Sequence, residues 1–133
     1  MIKQISITTK ARTEFQDVTG KVQEIVDGTD VTSGVCFVYV PHTTAAVLIN
    51  EHADPDVIED IATQLEKLAP FNAKYQHAEG NSAAHFKASV IGVSKAIPIE
   101  HGRLALGTWQ GIFFCEFDGP RSRNLIVKII GDK

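Results

Sequence analysis

The clearest periodicity in the chain lies between Pro55 and Ala69. There Val57, Ile58, Ile61, Ala62, Leu65 and Leu68 recur at the i, i+3, i+4 spacing of one helical face, and Asp56, Glu59, Asp60, Thr63, Glu66 and Lys67 fall on the other. Asp54 is placed to accept as N-cap, Pro55 to occupy the first helical position and Pro70 to stop the helix. A shorter stripe, Val22, Ile25 and Val26, predicts a second helix from an N-cap at Thr19 to Gly28.

Elsewhere the pattern has the period of strands. Ile2, Ile5 and Ile7 mark a strand over residues 2 to 9, and the run GVCFVYV at 34 to 40 is apolar on both alternating faces, as in a strand covered on each side. Pro41 opens a bend, PHTT, before AAVLIN at 45 to 50 resumes the strand pattern. Over 84 to 90, Phe86, Ala88 and Val90 alternate with His85, Lys87 and Ser89, which predicts a strand with His85 on its polar side. Two short strands follow around Glu100-His101-Gly102-Arg103, a turn in which His and Gly tolerate positive φ, and Pro98 marks an edge. Runs at 112 to 117 and 124 to 130, joined by a turn containing DGPRSR, complete the set, and Tyr75 to Asn81 is a loop. Roughly seven strands with two helices and short connections give an α+β class with a mostly antiparallel, sheet-dominated core. Neither GxGxxG nor GxxxxGK[ST] occurs, so a doubly wound nucleotide-binding fold does not fit.

Composition narrows the picture further. At 133 residues the chain suits one domain, 1–133. Its 13 Lys plus Arg against 16 Asp plus Glu give a net charge of -3, so no global positive field attracts nucleic acid, and an anionic ligand must be held by local groups. No apolar run approaches the roughly 18 residues of a membrane span, and the start, MIKQISITTKAR, lacks the order of a secretory signal; the cytoplasm is the expected location. Cys36 and Cys115 lie in apolar stretches, where a thiol packs as a small hydrophobe.

The chemistry centres on histidine. His42 follows a buried strand, and a glycine-containing loop between His77 and His85 lets those two approach; three converging imidazoles would make an open zinc-type site. His101 is a turn residue, and His52 a solvated neighbour of the helix start. Asn50, Glu51 and Asp54 gather at that start, with Asp60 on the polar face beyond. Glu116, inside GIFFCEFDG, needs a partner or a raised pKa. Thr43 and Thr44 at the bend, with Arg121 and Arg123 flanking Ser122, are anion-binding candidates, and Trp109 offers either a stacking face or a packing surface.

The segments PHTTAAVLINEHADPDV, HAEGNSAAH and GTWQGIFFCEFDGPRSR resemble the YjbQ-like family, named for secondary thiamine-phosphate synthase activity, and the resemblance covers nearly the whole chain. It implies a seven-stranded β-sandwich with helices, assembled as a homotrimer. The family pattern matches at His42, Asn50, Glu51, Asp54, Asp60, His77, Asn81, His85, Trp109, Gln110 and Arg121, and departs at His52 and His101, where the family usually has Asn. His42, His77 and His85 are thereby the metal candidates, with a divalent cation, zinc by ligand type, as the cofactor. His42, Glu51, Asp54, Asp60 and Asn81 are the catalytic candidates. Thr43, Thr44, Asn50, Trp109, Gln110, Arg121 and Arg123 are the ligand-holding ones. The implied reaction joins a hydroxymethylpyrimidine diphosphate to a thiazole phosphate with release of pyrophosphate. A metal-dependent hydrolase of a phosphorylated metabolite and a non-catalytic trimeric anion- or metal-binding protein are the competing readings. In each, the partner is a small phosphorylated molecule or ion, not nucleic acid or membrane.

Overall fold

The computed structural model describes residues 2–132. In chain order its elements are β1 (Ile2–Thr8), β2 (Glu14–Asp17), α1 (Thr19–Asp27), β3 (Gly34–Tyr39), β4 (Ala45–Glu51), α2 (Pro55–Leu68), α3 (Ser82–Ile91), β5 (Ser94–Glu100), β6 (Arg103–Leu104), β7 (Gln110–Glu116) and β8 (Ser122–Gly131). The strands form two sheets, β1-β8-β3-β5-β6 and β2-β7-β4, and every pairing is antiparallel.

Alternation sets the layers. Cys36, Val38, Ile97, Ile99, Leu125 and Val127 on the larger sheet face Ala45, Val47, Ile112 and Phe114 on the smaller, and α1 closes one side of this core with Val22 and Val26, joined by Val18 just before it. The other face of the smaller sheet, with Ala46, Phe113 and Cys115, is covered by Leu65 of α2 and Ala84 and Ala88 of α3. Both cysteines are free and buried, and burial pushes the Cys36 thiol up to about 11, consistent with packing rather than reactivity.

The α+β antiparallel architecture is the expected one, with eight strands and three helices among the described residues. Asp54 does cap α2, accepting from the Asp56 N–H at 2.9 Å, and Ala69 follows as C-cap. His101 and Gly102 both take positive φ, 53° and 73°, as a primed hairpin turn requires. Pro98 lies in β5 between β3 and the two-residue β6; its carbonyl accepts from Ala105 on the outer side, so its ring nitrogen faces away from the β3 ladder.

Two local expectations are corrected and one strand is added. Residues 84 to 90 belong to α3, not to a strand, because the face that packs inward is Ala83, Ala84, Lys87 and Ala88, and Phe86 and Val90 stay exposed. The segment EFQD, too short and polar to stand out, pairs with β7 as β2. Thr19 does not cap α1 but begins it; its hydroxyl oxygen accepts from Ile112 of β7, and Asp17 accepts from the Thr19 N–H. Among the described residues no helix is long and apolar enough to cross a membrane.

Candidate functional site

Four chain segments meet in a cleft of about 460 Å³. The bend after β3 brings His42, Thr43 and Thr44; the loop after α2 brings His77 and Glu79; the start of α3 brings Asn81 and, one turn on, His85; the β7–β8 connection running into the start of β8 brings Asp118, Arg121 and, on β8 itself, Arg123. The three histidines singled out in the sequence therefore share one site, together with Thr43, Thr44, Asn81, Arg121 and Arg123.

The floor is a buried ion pair. Glu116 is wholly buried on β7 and accepts four hydrogen bonds: the Thr9 hydroxyl and Arg123 Nε on Oε1, and the Asp118 N–H and Arg123 Nη2 on Oε2. Arg123 Nη2 also donates to Thr44 Oγ1 at 2.8 Å. Burial alone would raise the Glu116 pKa, but the Arg123 guanidinium, the Asp118 N–H and the Thr9 hydroxyl hold it below the usual carboxylate range. The apolar strand context of Glu116 demanded a partner, and Arg123, crossing from the other sheet, is that partner.

Above the floor, Asp118 Oδ2 accepts from Asn81 Nδ2 and from Arg121 Nη2, both at 2.9 Å, and Arg121 Nε donates to the Asp118 carbonyl. Burial opposes ionisation of Asp118, yet Asn81 and Arg121 outweigh it and its pKa is lowered. Because Asn81 Nδ2 faces a carboxylate, its amide orientation is fixed. Its Oδ1 is left buried without a hydrogen-bond partner, a state that costs free energy unless a ligand supplies a donor or a cation.

The imidazoles differ in their surroundings. His77 and His85 meet edge to face, with ring centroids 5.4 Å apart, and exposed Glu79 lies 3.8 Å from His77 Nε2. His42 Nε2 accepts from the Asn124 backbone N–H at 3.0 Å. Burial first, then the Arg123 charge, lower the His42 pKa, so its ring is neutral at physiological pH. Imidazoles and an unpartnered amide oxygen suit zinc in kind. They are not gathered as a ligand set: among the described residues no group of three His, Cys, Asp or Glu side chains is close enough to hold a metal ion.

The remaining candidates lie elsewhere. Asn50 and Glu51 end β4, where Asn50 Oδ1 accepts from the Glu51 N–H, and Glu51 pairs with Gln110 across to β7. Gln110 Oε1 accepts from the Gly107 N–H, and Trp109 is exposed, its carbonyl accepting from the His52 N–H. His52 is not merely solvated: its Nδ1 lies 2.9 Å from Asp17 Oδ2, and its ring sits so close over Gly111 that a Cβ there would collide with it. Asp54 is occupied as a cap, and Asp60 lies exposed on α2 beside an apolar groove with Val57, Ile61 and Leu68. Glu79 and Asp118 line the cleft without having been singled out, since in HAEGN and FDGP each reads as an ordinary loop acid.

A family model described as "UPF0047 protein YjbQ-like" matches residues 3–132. The chain belongs to the YjbQ-like UPF0047 family. It is 47% identical to the UPF0047 protein YugU of Bacillus subtilis over 98% of this chain and 100% of that one, and 50% identical to a UPF0047 protein of Methanocaldococcus jannaschii over 100% and 96%. A crystal structure of a YjbQ/UPF0047 family protein of Clostridium acetobutylicum superposes with a TM-score of 0.94 at 52% identity, covering 96% of this chain and 99% of that chain. A YbjQ-like protein of unknown function from Sulfolobus solfataricus superposes with a TM-score of 0.96 at 34% identity, covering 99% and 97%. The family match spans all but the first two and the last of the 133 residues, and so includes every segment that lines the cleft.

Proposed function

We propose that the cleft binds a small phosphorylated molecule and is the active site of a metal-assisted transferase of the thiamine-phosphate synthase type. One observation carries this reading: three imidazoles, two arginines, two threonines and an unpartnered buried amide oxygen converge from four chain segments on one cleft. When the diphosphate leaves, it takes the electron pair of the bond it breaks, and that charge must be neutralised. Arg121 is half exposed with Nη1 free of partners among the described residues, which supports a role for it in meeting phosphate oxygens, and Thr43 would add a hydroxyl donor. Asp118 holds the Arg121 guanidinium in position, and Glu116 does the same for Arg123. His77 and His85 are not gathered as a ligand set by themselves, so a divalent cation, zinc by donor type, would be held only with further donors from the bound ligand, and would then supply further charge neutralisation. Thiamine phosphate formation by purified protein with both substrates tests the reading. We expect product, reduced at least tenfold in His85→Ala; no product above blank at high enzyme overturns it.

A hydrolase of a phosphorylated metabolite is the second reading, and the charge balance favours it. Arg121 and Arg123 are already neutralised by Asp118 and Glu116, and Glu79 adds a negative charge, which suits one phosphorylated ligand better than two. Release of inorganic phosphate from pyrophosphate or phosphoesters without thiamine phosphate formation would select it. Tight binding without turnover would select a non-catalytic role.

We also propose that the chain assembles as a homotrimer. The outer face of the larger sheet supports self-association: paired residues across β8, β3 and β5 place Phe37, Tyr39 and Ile130 on one uncovered surface, each exposed.

A further inference from the structure

We infer that His42 is a fixed hydrogen-bond donor to the ligand, through Nδ1–H, and is neither a metal ligand nor a general base. The inference rests on the proposed phosphate-binding role of the cleft only for what His42 donates to; the state of the ring follows from the fold.

A backbone N–H can only donate. Asn124 donates to His42 Nε2 at 3.0 Å, so that nitrogen carries no proton and its lone pair is committed. The fold explains why this bond exists. β3 pairs with β8 only as far as Tyr39 opposite Ile126, and Asn124 lies two residues further along β8, with the Asn124 N–H facing the side that β3 has vacated. The His42 ring takes the place of the missing strand carbonyl. A neutral imidazole with an unprotonated Nε2 must carry its proton on Nδ1.

The doubly protonated form would set two donors against each other at Asn124, so the hydrogen bond itself selects the neutral ring. Nδ1 has no hydrogen-bond partner among the described residues, and Asn81 Oδ1 alone among their side-chain atoms is both buried and unpartnered, so Nδ1 keeps access to solvent in the cleft. The cleft therefore presents a neutral, pre-oriented N–H donor beside the arginine charges, suited to a phosphate oxygen. Metal binding through His42 would require either breaking the Asn124 bond or removing the Nδ1 proton.

Nitrogen NMR of histidine-labelled protein at neutral pH decides the ring state, with the His42 signals assigned by their loss in His42→Asn. Protonated Nδ1 with unprotonated Nε2 is expected, and added zinc should move His77 and His85 signals without moving those of His42. A protonated Nε2, or zinc bound at His42, overturns the inference. The donor role is read separately by pyrophosphate calorimetry. His42→Gln retains an acceptor for Asn124 but has no donor at the Nδ1 position, and should weaken binding about tenfold, as loss of one hydrogen bond to a charged ligand implies. His42→Asn, whose amide reaches the Nδ1 position, should stay within about threefold. Equal loss in two folded variants overturns the donor role. Wild-type protein that does not bind pyrophosphate counts against the phosphate reading of the cleft and leaves the ring state to the NMR result.

Discussion

Glu116 illustrates how much of a site is decided by the cost of one buried charge. Its four hydrogen bonds and its pairing with Arg123 replace the hydration it loses, and removing the charge while leaving Arg123 in place exposes that cost. Glu116→Gln should destabilise by about 3–5 kcal/mol, read as a fall in Tm on the order of 10 °C. The pH dependence follows from the lowered pKa. A carboxyl depressed in the folded state contributes stability that is complete above its unfolded value near 4.5 and is lost as pH falls from there through the folded value. Denaturant titrations between pH 6 and pH 3 should show this loss in wild type and a shallower one in the Gln variant; parallel curves would remove Glu116 from the account. At this scale the sequence was informative about need and silent about partner. An acid inside GIFFCEFDG plainly requires compensation, but Arg123 and Thr9 reach it from β8 and from the end of β1, which only the packing of the two sheets brings near.

At the scale of elements, α2 and α3 make an instructive pair. α2 was legible because its inward side carries large branched residues, Leu65 buried and Ile58 and Ile61 partly so, and its cap is an Asp-Pro signal. α3 was not, because its buried face is alanine and the stem of Lys87, whose ammonium pairs with Glu66 of α2 at 2.6 Å, and its large apolar residues face outward. Alternation of Phe86, Ala88 and Val90 then imitates a strand, although tertiary packing rather than local apolarity determines the segment. The two arrangements make opposite demands on substitution. Ala84→Leu forces extra volume between α3 and β4 and should cost about 1–3 kcal/mol, whereas Phe86→Ala, exposed at 46%, should stay within about 0.5 kcal/mol. Thermal melts of the two variants check this, and a large loss at Phe86 with none at Ala84 would restore the strand. The same element matters to the cleft. Asn81 stands at its N-terminus and His85 one turn on, so the helical conformation, not a strand, presents both to one site.

For the whole molecule, the candidate residues divide into the cleft set and a second group at the ends of β4 and β7, where Asn50, Glu51, Trp109 and Gln110 lie with the His52–Asp17 pair. Spacing along a chain cannot reveal this division, since Asn50 is eight positions from His42 and Gln110 eleven from Arg121, yet each pair is separated by the length of a strand. Self-association is the property that belongs to this scale alone. The outer face of the larger sheet sets Phe37 between Lys128 and Ala96, and Tyr39 between Ile126 and Ser94, an apolar surface with no covering layer in the described chain. If copies meet there, wild type should scatter as three chains of 14.5 kDa, and Phe37→Glu, which places a carboxylate at the centre of the face without touching the core, should give a folded monomer. Light scattering with circular dichroism reads both properties together. A wild-type monomer would overturn the trimer, whereas a variant that remains trimeric would move the contact to another surface, with exposed Trp109 at the far end of β7 as the next position to substitute.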